Sequence, residues 1–505
     1  MHQPSPLIAI TMRDQHLDVG VRDIAFASAV DQAAAVAVGE ISAIELLEAT
    51  VARYERFNPA INAVVTTQLD VARERAAAAD TATAAGVSWG PLHGVPMTIK
   101  EAWDWVGSPS TSGHAELVGW RPERNAEAVE RLIGAGAVIY GKTNLPVSMA
   151  DWQTFNPVYG TTSNPWNTDL IPGGSSGGAA AALAAGLTAL ELGSDIGASI
   201  RNPAHYCGVF GHKPTYGLVP IAGHGNPGAP TVLDIGVGGP MARYASDLTL
   251  GLDVVAGAGG LDARGWKLDL PAPRNDRPDT LRVAVMLESD VCVEQDDELT
   301  VQLAATVAAL GDLGVALDYN ARPAIDLEKS HHNYMMLLRS ATGSEYPSDA
   351  YEAQKEHAAR WAAGDRDYRA LAGSGITMSH WQWAQHHRQR EDDRLAWDAF
   401  FDDYDLLLCP TAASAAYPHD HTGERADRTI PINGGQQPTT DQLFWAGLSC
   451  GVYLPGTVAP AGLTASGVPC GLQIVAGHLR DRESIAFAAF MERELGGFQV
   501  PPGYG

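Results

Sequence analysis

Basic residues are scarce in this chain. Lys and Arg number 34 against 59 Asp and Glu, which leaves a net charge of −25 over 505 residues. Repulsion of that size works against binding a phosphate backbone over a broad surface, so nucleic acid is not an expected partner. No run of Lys or Arg is dense enough to offset it locally. Cysteine is nearly absent as well. The five residues Cys207, Cys292, Cys409, Cys450 and Cys470 are odd in number and widely spaced, with no C-x-x-C pair. That argues against a disulfide framework or structural zinc and for a reducing, cytoplasmic setting. The stretch Met1 to Gly20 lacks the charged start and apolar core of a signal peptide. Uncharged windows of membrane-spanning length exist at Gln442 to Leu479 and Leu170 to Leu190. Proline and glycine break both, so loops, strands and a buried helix are expected there rather than membrane spans.

What is present is enough apolar material for a sizeable core, 45% of residues against 18% charged. Helical periodicity runs over Ala29 to Val38. It resumes behind a capping box, Ser42 with Glu45, until Pro59 is expected to end the helix. A further exposed helix is expected over Val71 to Ala82. From about residue 88, short apolar strands such as Val95 to Ile99 and Val138 to Tyr140 alternate with helices such as Glu127 to Ile133. This pattern predicts an α/β fold, a large twisted mixed sheet covered by helices on both faces. The expected organisation is an N-terminal helical region (1–87), a core (88–260), and a connection with a returning strand and helix (261–330). A helical insert covering the cleft (331–402) and a C-terminal part of the same sheet (403–505) complete it.

Three places in the core carry candidate chemistry. Lys100 closes an apolar strand, where desolvation would lower its pKa and make the amine a base; a lysine in that position can equally snorkel to water. Gly173 to Gly178 reads Gly-Gly-Ser-Ser-Gly-Gly. Its small residues allow backbone to approach a reacting group, although a flexible loop or an anion cradle has the same composition. It lacks the spacing of a phosphate-binding P-loop. Asp195 to Arg201 places Ser199 after a small-residue turn whose amides could hold an oxyanion. Ser199 could instead simply cap the next helix.

Taken together, Lys100, Gly173 to Gly178 and Asp195 to Arg201 resemble the amidase signature family. The resemblance extends through Pro203, Cys207 to Val209, His212 to Gly217, Gly141 to Asn144, Ser163 to Asn167 and Gly471 to Val475. It implies a Ser–cisSer–Lys triad with Ser199 as nucleophile, Ser175 as bridging serine and Lys100 as general base. It also implies an oxyanion hole from the amides of Ile196, Gly197, Ala198 and Ser199. Ala198 stands where the family usually has glycine, and alanine tolerates positive φ poorly. Ser148, Met149, Gly173 and Gly174 are the implied substrate contacts. No cofactor or metal is implied. The implied reaction is hydrolysis of a small carboxamide, anilide, ester or carbamate through an acyl-enzyme, with a homodimer as the favoured assembly. The second reading is a glutamine-hydrolysing subunit of a tRNA-dependent amidotransferase. Against it, Gly217-Leu218-Val219-Pro220 replaces the basic stretch usual in those subunits.

The segment from about 260 to 400 has no matching motif. Tyr334, Met335, Met336, Trp381 and Trp383, with Phe444 and Trp445, could line an apolar pocket or simply form core. His331, His332, His380, His386 and His387 show no metal-ligand spacing and are expected on helix faces or in packing.

Overall fold

The computed structural model describes residues 24–225, 233–274, 277, 280–291, 294–344 and 346–505. The Met1 to Gly20 reading and Cys292 lie outside the described residues.

The chain begins with helices α1 (Ala29–Ala37) and α2 (Ala43–Ile61), strand β1 (Val64–Thr67) and helix α3 (Leu69–Ala84). The capping box forms as read: Ser42 and Glu45 satisfy each other's backbone amides. Pro59 does not end α2, which runs on to Ile61. In the last turn Pro59 forfeits little hydrogen bonding, while Asn58 and Ile61 are anchored by burial. The exit is made by Asn62, whose φ of 49° is left-handed.

The core continues through β2 (Pro96–Lys100), α4 (Glu127–Gly134), β3 (Val138–Thr143), a short hairpin β4 (Phe155–Asn156) and β5 (Gly160–Thr161), α5 (Gly177–Ala184) and β6 (Leu190–Asp195). Then come α6 (Arg201–Cys207), β7 (Phe210–Lys213), β8 (Val237–Ala242), α7 (Ala245–Val255), β9 (Arg282–Val285), α8 (Asp297–Asp312) and β10 (Ala316–Asp318). Four helices follow without a strand: α9 (Leu327–Gly343), α10 (Ser348–Ala362), α11 (Tyr368–Ile376) and α12 (His380–Asp403). The chain returns through β11 (Leu406–Pro410), a hairpin β12 (Thr429–Ile432) and β13 (Gly435–Pro438), α13 (Leu443–Cys450), β14 (Gly456–Leu463), β15 (Pro469–Ala476) and α14 (Asp481–Leu495).

Eleven strands form one mixed sheet in the order β1-β3-β2-β6-β8-β7-β14-β15-β11-β9-β10. Alternation along each strand sends side chains to opposite faces, and both faces are apolar. In β11, Leu406 and Leu408 join the cluster under α4, α7, α8 and α14. Leu407 and Cys409 join the one formed with α9, α12 and α13. Burial on both faces is why these strands read as unbroken apolar runs. The uncharged windows resolve into α5, α13, β14 and β15, and among the described residues no helix is long and apolar enough to cross a membrane.

Candidate active site

Strand β2 and the turn after β6 deliver the two ends of the site. β2 pairs in parallel with β6, Thr98 opposite Glu191 and Ile99 opposite Leu192. Lys100 therefore ends its strand beside Ser194 and Asp195. It does not snorkel: it is wholly buried. Its Nζ donates to Ser175 Oγ (2.7 Å), Ser194 Oγ (2.9 Å) and Ser176 Oγ (3.0 Å). Burial pushes its pKa down from 10.5 to about 7, against the opposing pull of Asp195 and Glu191. Near neutral pH the amine can thus shed its proton and act as a base.

The peptide between Gly174 and Ser175 is cis. Both glycines are required by their surroundings. A Cβ on Gly173 would lie 2.6 Å from Asn202 Oδ1, and one on Gly174 2.5 Å from the Asp151 carbonyl. Gly173 and Gly174 do not line the cavity described below. They pack behind Ser175, with the Gly174 amide donating to Asn202 (3.2 Å) and Thr154 donating to the Gly173 carbonyl (2.8 Å).

The turn from Asp195 to Arg201 is held by a buried ion pair. The Asp195 carboxylate accepts from the amides of Ala198 (3.0 Å), Ile200 (3.0 Å) and Arg201 (3.3 Å), and from the Arg201 guanidinium at 2.9 and 3.0 Å. Burial alone would raise its pKa, but Arg201 outweighs that and holds it at about 2. Asp195 thus fills the role that Ser199 could have had as a helix cap; the residue before α6 is Ile200, with no side-chain cap. Ala198 does adopt a left-handed φ of 71°, and its amide is taken by Asp195. Of the four amides expected in the oxyanion hole it is the one already engaged. The other three, on Ile196, Gly197 and Ser199, donate to no acceptor among the described residues. Two carbonyls of the same turn are pinned from outside: Tyr334 Oη donates to that of Ile196 (3.1 Å) and Trp152 Nε1 to that of Gly197 (2.8 Å). The turn therefore offers bare N–H groups while its carbonyls are engaged elsewhere.

Ser175 and Ser199 line one cavity of about 580 Å³ together with Ser148, Met149, Ile196 and Gly197. The Ser176 amide donates to the Ser199 carbonyl (3.0 Å), which ties the two serine loops together. Among the described residues no hydrogen bond joins the Ser175 and Ser199 hydroxyls, and the Ser199 side chain makes none. Ser148 and Met149 hold left-handed φ values of 52° and 56°, strain of the kind that persists where surrounding structure enforces it. Ser148 Oγ pairs with His114 Nε2 at 2.7 Å.

The insert contributes Leu338, Arg339, Thr342, Tyr346, Pro347 and Ala350 to this cavity. Tyr334, Met335, Met336, Phe444 and Trp445 are buried core, and Trp381 is exposed; none of them, nor Trp383, lines it. The histidines behave as packing residues. His332 stacks on Trp361, His380 stacks on Trp383, and Trp383 on His387. Among the described residues no group of His, Cys, Asp and Glu could hold a metal ion. Sequence alone does not assign the structural roles of Asp195, Arg201, Trp152 and His114. Asp195 and Arg201 lie inside the motif six residues apart, and an acid and a base at that spacing are its readable signal.

A mixed α/β sheet that sets a buried, near-neutral lysine among serine hydroxyls, with bare amides alongside, is equipment for hydrolysis by an activated hydroxyl. The chain belongs to the amidase family, whose model matches residues 45–485, and it is a hydrolase of amide C–N bonds. It is 33% identical over 480 residues to indoleacetamide hydrolase of Bradyrhizobium diazoefficiens, covering 93% of this chain and 86% of that one. It is 31% identical over 465 residues to a glutamyl-tRNA(Gln) amidotransferase subunit of Chloroflexus aurantiacus, covering 88% and 91%. A solved bacterial aryl acylamidase of the amidase signature family superposes with a TM-score of 0.78 at 25% identity, covering 95% of this chain and 99% of that one.

Proposed function

We propose that this amidase cleaves small aryl and alkyl amides through an acyl-enzyme on Ser199, with Ser175 as proton relay and Lys100 as base. The observation that carries the reading is the buried Lys100 amine 2.7 Å from Ser175 Oγ, with its pKa brought to about 7. Neutral Lys100 takes a proton from Ser175 as Ser175 takes one from Ser199. The Ser199 oxygen adds to the carbonyl carbon, and the oxyanion is received by the amides of Ile196, Gly197 and Ser199. Each well-placed donor of this kind contributes roughly 3 kcal/mol. The proton then passes from Lys100 through Ser175 to the leaving nitrogen, so that an amine and not an amide anion departs. Water repeats the cycle, gives its proton to the relay, and releases the acid. The helical segment 331–402 covers the cleft in this reading, a role supported by Leu338, Arg339 and Thr342 in the cavity wall. The protein works as a cytoplasmic homodimer; the cytoplasmic part is supported by four buried free cysteines.

Identity to a component of a tRNA-dependent amidotransferase favours a second reading, glutamine hydrolysis within such an assembly. Assaying the purified chain alone on a neutral anilide separates the two. Under the leading reading the chain turns over unaided, Ser199→Ala lowers kcat/KM by roughly 1,000-fold or more, and a serine-reactive phosphonate labels position 199. The rate rises with pH to a plateau above about 7, falling tenfold per unit below, because the base must be uncharged. Activity that survives Ser199→Ala, or a rate flat down to about pH 5, refutes it.

A further inference from the structure

The cavity that holds Ser175 and Ser199 is also lined by two arginines that the proposed chemistry does not use, Arg339 of α9 and Arg425 of the segment after β11. Arg339 makes no hydrogen bond and no ion pair among the described residues. Its guanidinium carbon instead lies 5.3 Å from the centre of the Tyr368 ring, and its Nε is buried with nothing to donate to. Arg425 spends one Nη1 hydrogen on the Ala150 carbonyl (2.9 Å), and its Nε is likewise buried and unpartnered. Among the described residues neither faces a carboxylate within ion-pair distance.

Two of the cavity's acids are paired: Asp151 accepts from Arg428 at 2.5 Å, and Asp195 is paired with Arg201. The third, Glu116, is exposed and lies 3.3 Å from His114 Nδ1. His224 is kept neutral by burial, its pKa pushed down to about 3. The wall therefore carries two arginines with no carboxylate partner among the described residues, in a chain whose net charge is −25. A guanidinium is shaped to receive a carboxylate on two parallel N–H groups.

We infer that the enzyme prefers amides whose acyl or amine part carries a carboxylate, which Arg339 and Arg425 bind while the amide lies at Ser199. The inference rests on the proposed function and narrows its substrate class. Ordinary neutral anilides would then be poor surrogates, reacting without their anchor.

The test compares matched pairs on the purified enzyme. N-phenylsuccinamic acid is set against butyranilide, with the charge on the acyl side. 4-Acetamidobenzoic acid is set against acetanilide, with the charge on the amine side. The readout is the ratio of kcat/KM, charged over neutral, in wild type, Arg339→Gln, Arg425→Gln and Arg339→Lys. At least one pair is expected to favour the acid by roughly 10- to 100-fold, the range for one charge-assisted contact. Either Gln variant is expected to reduce that ratio about tenfold or more, mainly through KM, with Arg339→Lys recovering part of it. Because the ratio is internal to each variant, a general loss of folded enzyme does not mimic the effect. Ratios at or below one for both pairs in an enzyme active on neutral anilides overturn the inference and leave the proposed function standing. Ratios unchanged by every variant overturn it as well. An enzyme inactive on all four compounds refutes the preference together with the broader reading; retained activity in Ser199→Ala refutes the broader reading by itself.

Discussion

Replacing Lys100 by methionine tests whether its amine is held neutral by burial, and the outcome depends on pH in a way that can be worked out. The pKa falls from 10.5 in the unfolded chain to about 7 in the folded one. Between those values the unfolded state holds a proton that the folded state lacks, so wild-type stability rises with pH through that window and is flat below it. At about 1.4 kcal/mol per unit, the folded protein carries a penalty of about 4 kcal/mol at pH 7 and about 2 kcal/mol at pH 9. Methionine removes the penalty and also removes a donor shared by Ser175, Ser176 and Ser194, costing about 1 kcal/mol for each bond lost, or about 3 in all. Lys100→Met is therefore expected to be about 1 kcal/mol more stable than wild type at pH 7 and about 1 kcal/mol less stable at pH 9, while being inactive at both. Urea unfolding midpoints of the two proteins at pH 7, 8 and 9 give the comparison. A stability difference that does not move with pH would refute the claim that burial neutralises this amine.

Asp195→Asn leaves the buried Arg201 guanidinium without its counter-charge and is expected to cost about 3 to 5 kcal/mol, read by denaturant titration. Because Asp195 sits at about 2 in the folded protein, its contribution is present above about pH 4 in wild type and lost as pH falls toward 2; the Asn variant should lack that part of the acid limb. Ala198→Gly releases a left-handed alanine at φ 71°. It should gain about 0.5 to 1 kcal/mol, the relief of about 1 to 2 kcal/mol being partly offset by the freer unfolded glycine; Ala198→Val should lose stability in the same assay. Trp152→Phe removes the donor to the Gly197 carbonyl at 2.8 Å. It is expected to lower kcat about tenfold with little change in KM, since the turn's amides lose their fixed aim; an unchanged kcat would show that Asp195 and Tyr334 hold the turn without this bond.

Much of this architecture is legible in the sequence because the signals are local. The Ser42–Glu45 box and the strand ending at Lys100 each follow from a few adjacent residues. β8, with sequence Val-Gly-Gly-Pro-Met-Ala, resists such a reading because its glycines and proline argue against a strand. It is kept in the sheet by pairing with β6 along its whole length. The cavity wall is hidden for a different reason. Arg339 and Arg425 lie far apart in the chain and within no repeated pattern, so only the folding of α9 over the sheet brings them to one space. The insert's aromatics mislead in the same way, since composition cannot distinguish a side chain packed beneath a cleft from one that lines it.

The sheet order carries a consequence for synthesis on the ribosome. β7 is complete once Lys213 has been made, yet its partner β14 begins only at Gly456. Until then the nascent chain exposes one open strand edge of its N-terminal half, a template for pairing with any neighbour. Premature termination anywhere in that interval should yield insoluble fragments rather than a smaller working enzyme, and recruitment of chaperones to the growing polypeptide should persist until β14 and β15 have cleared the exit tunnel.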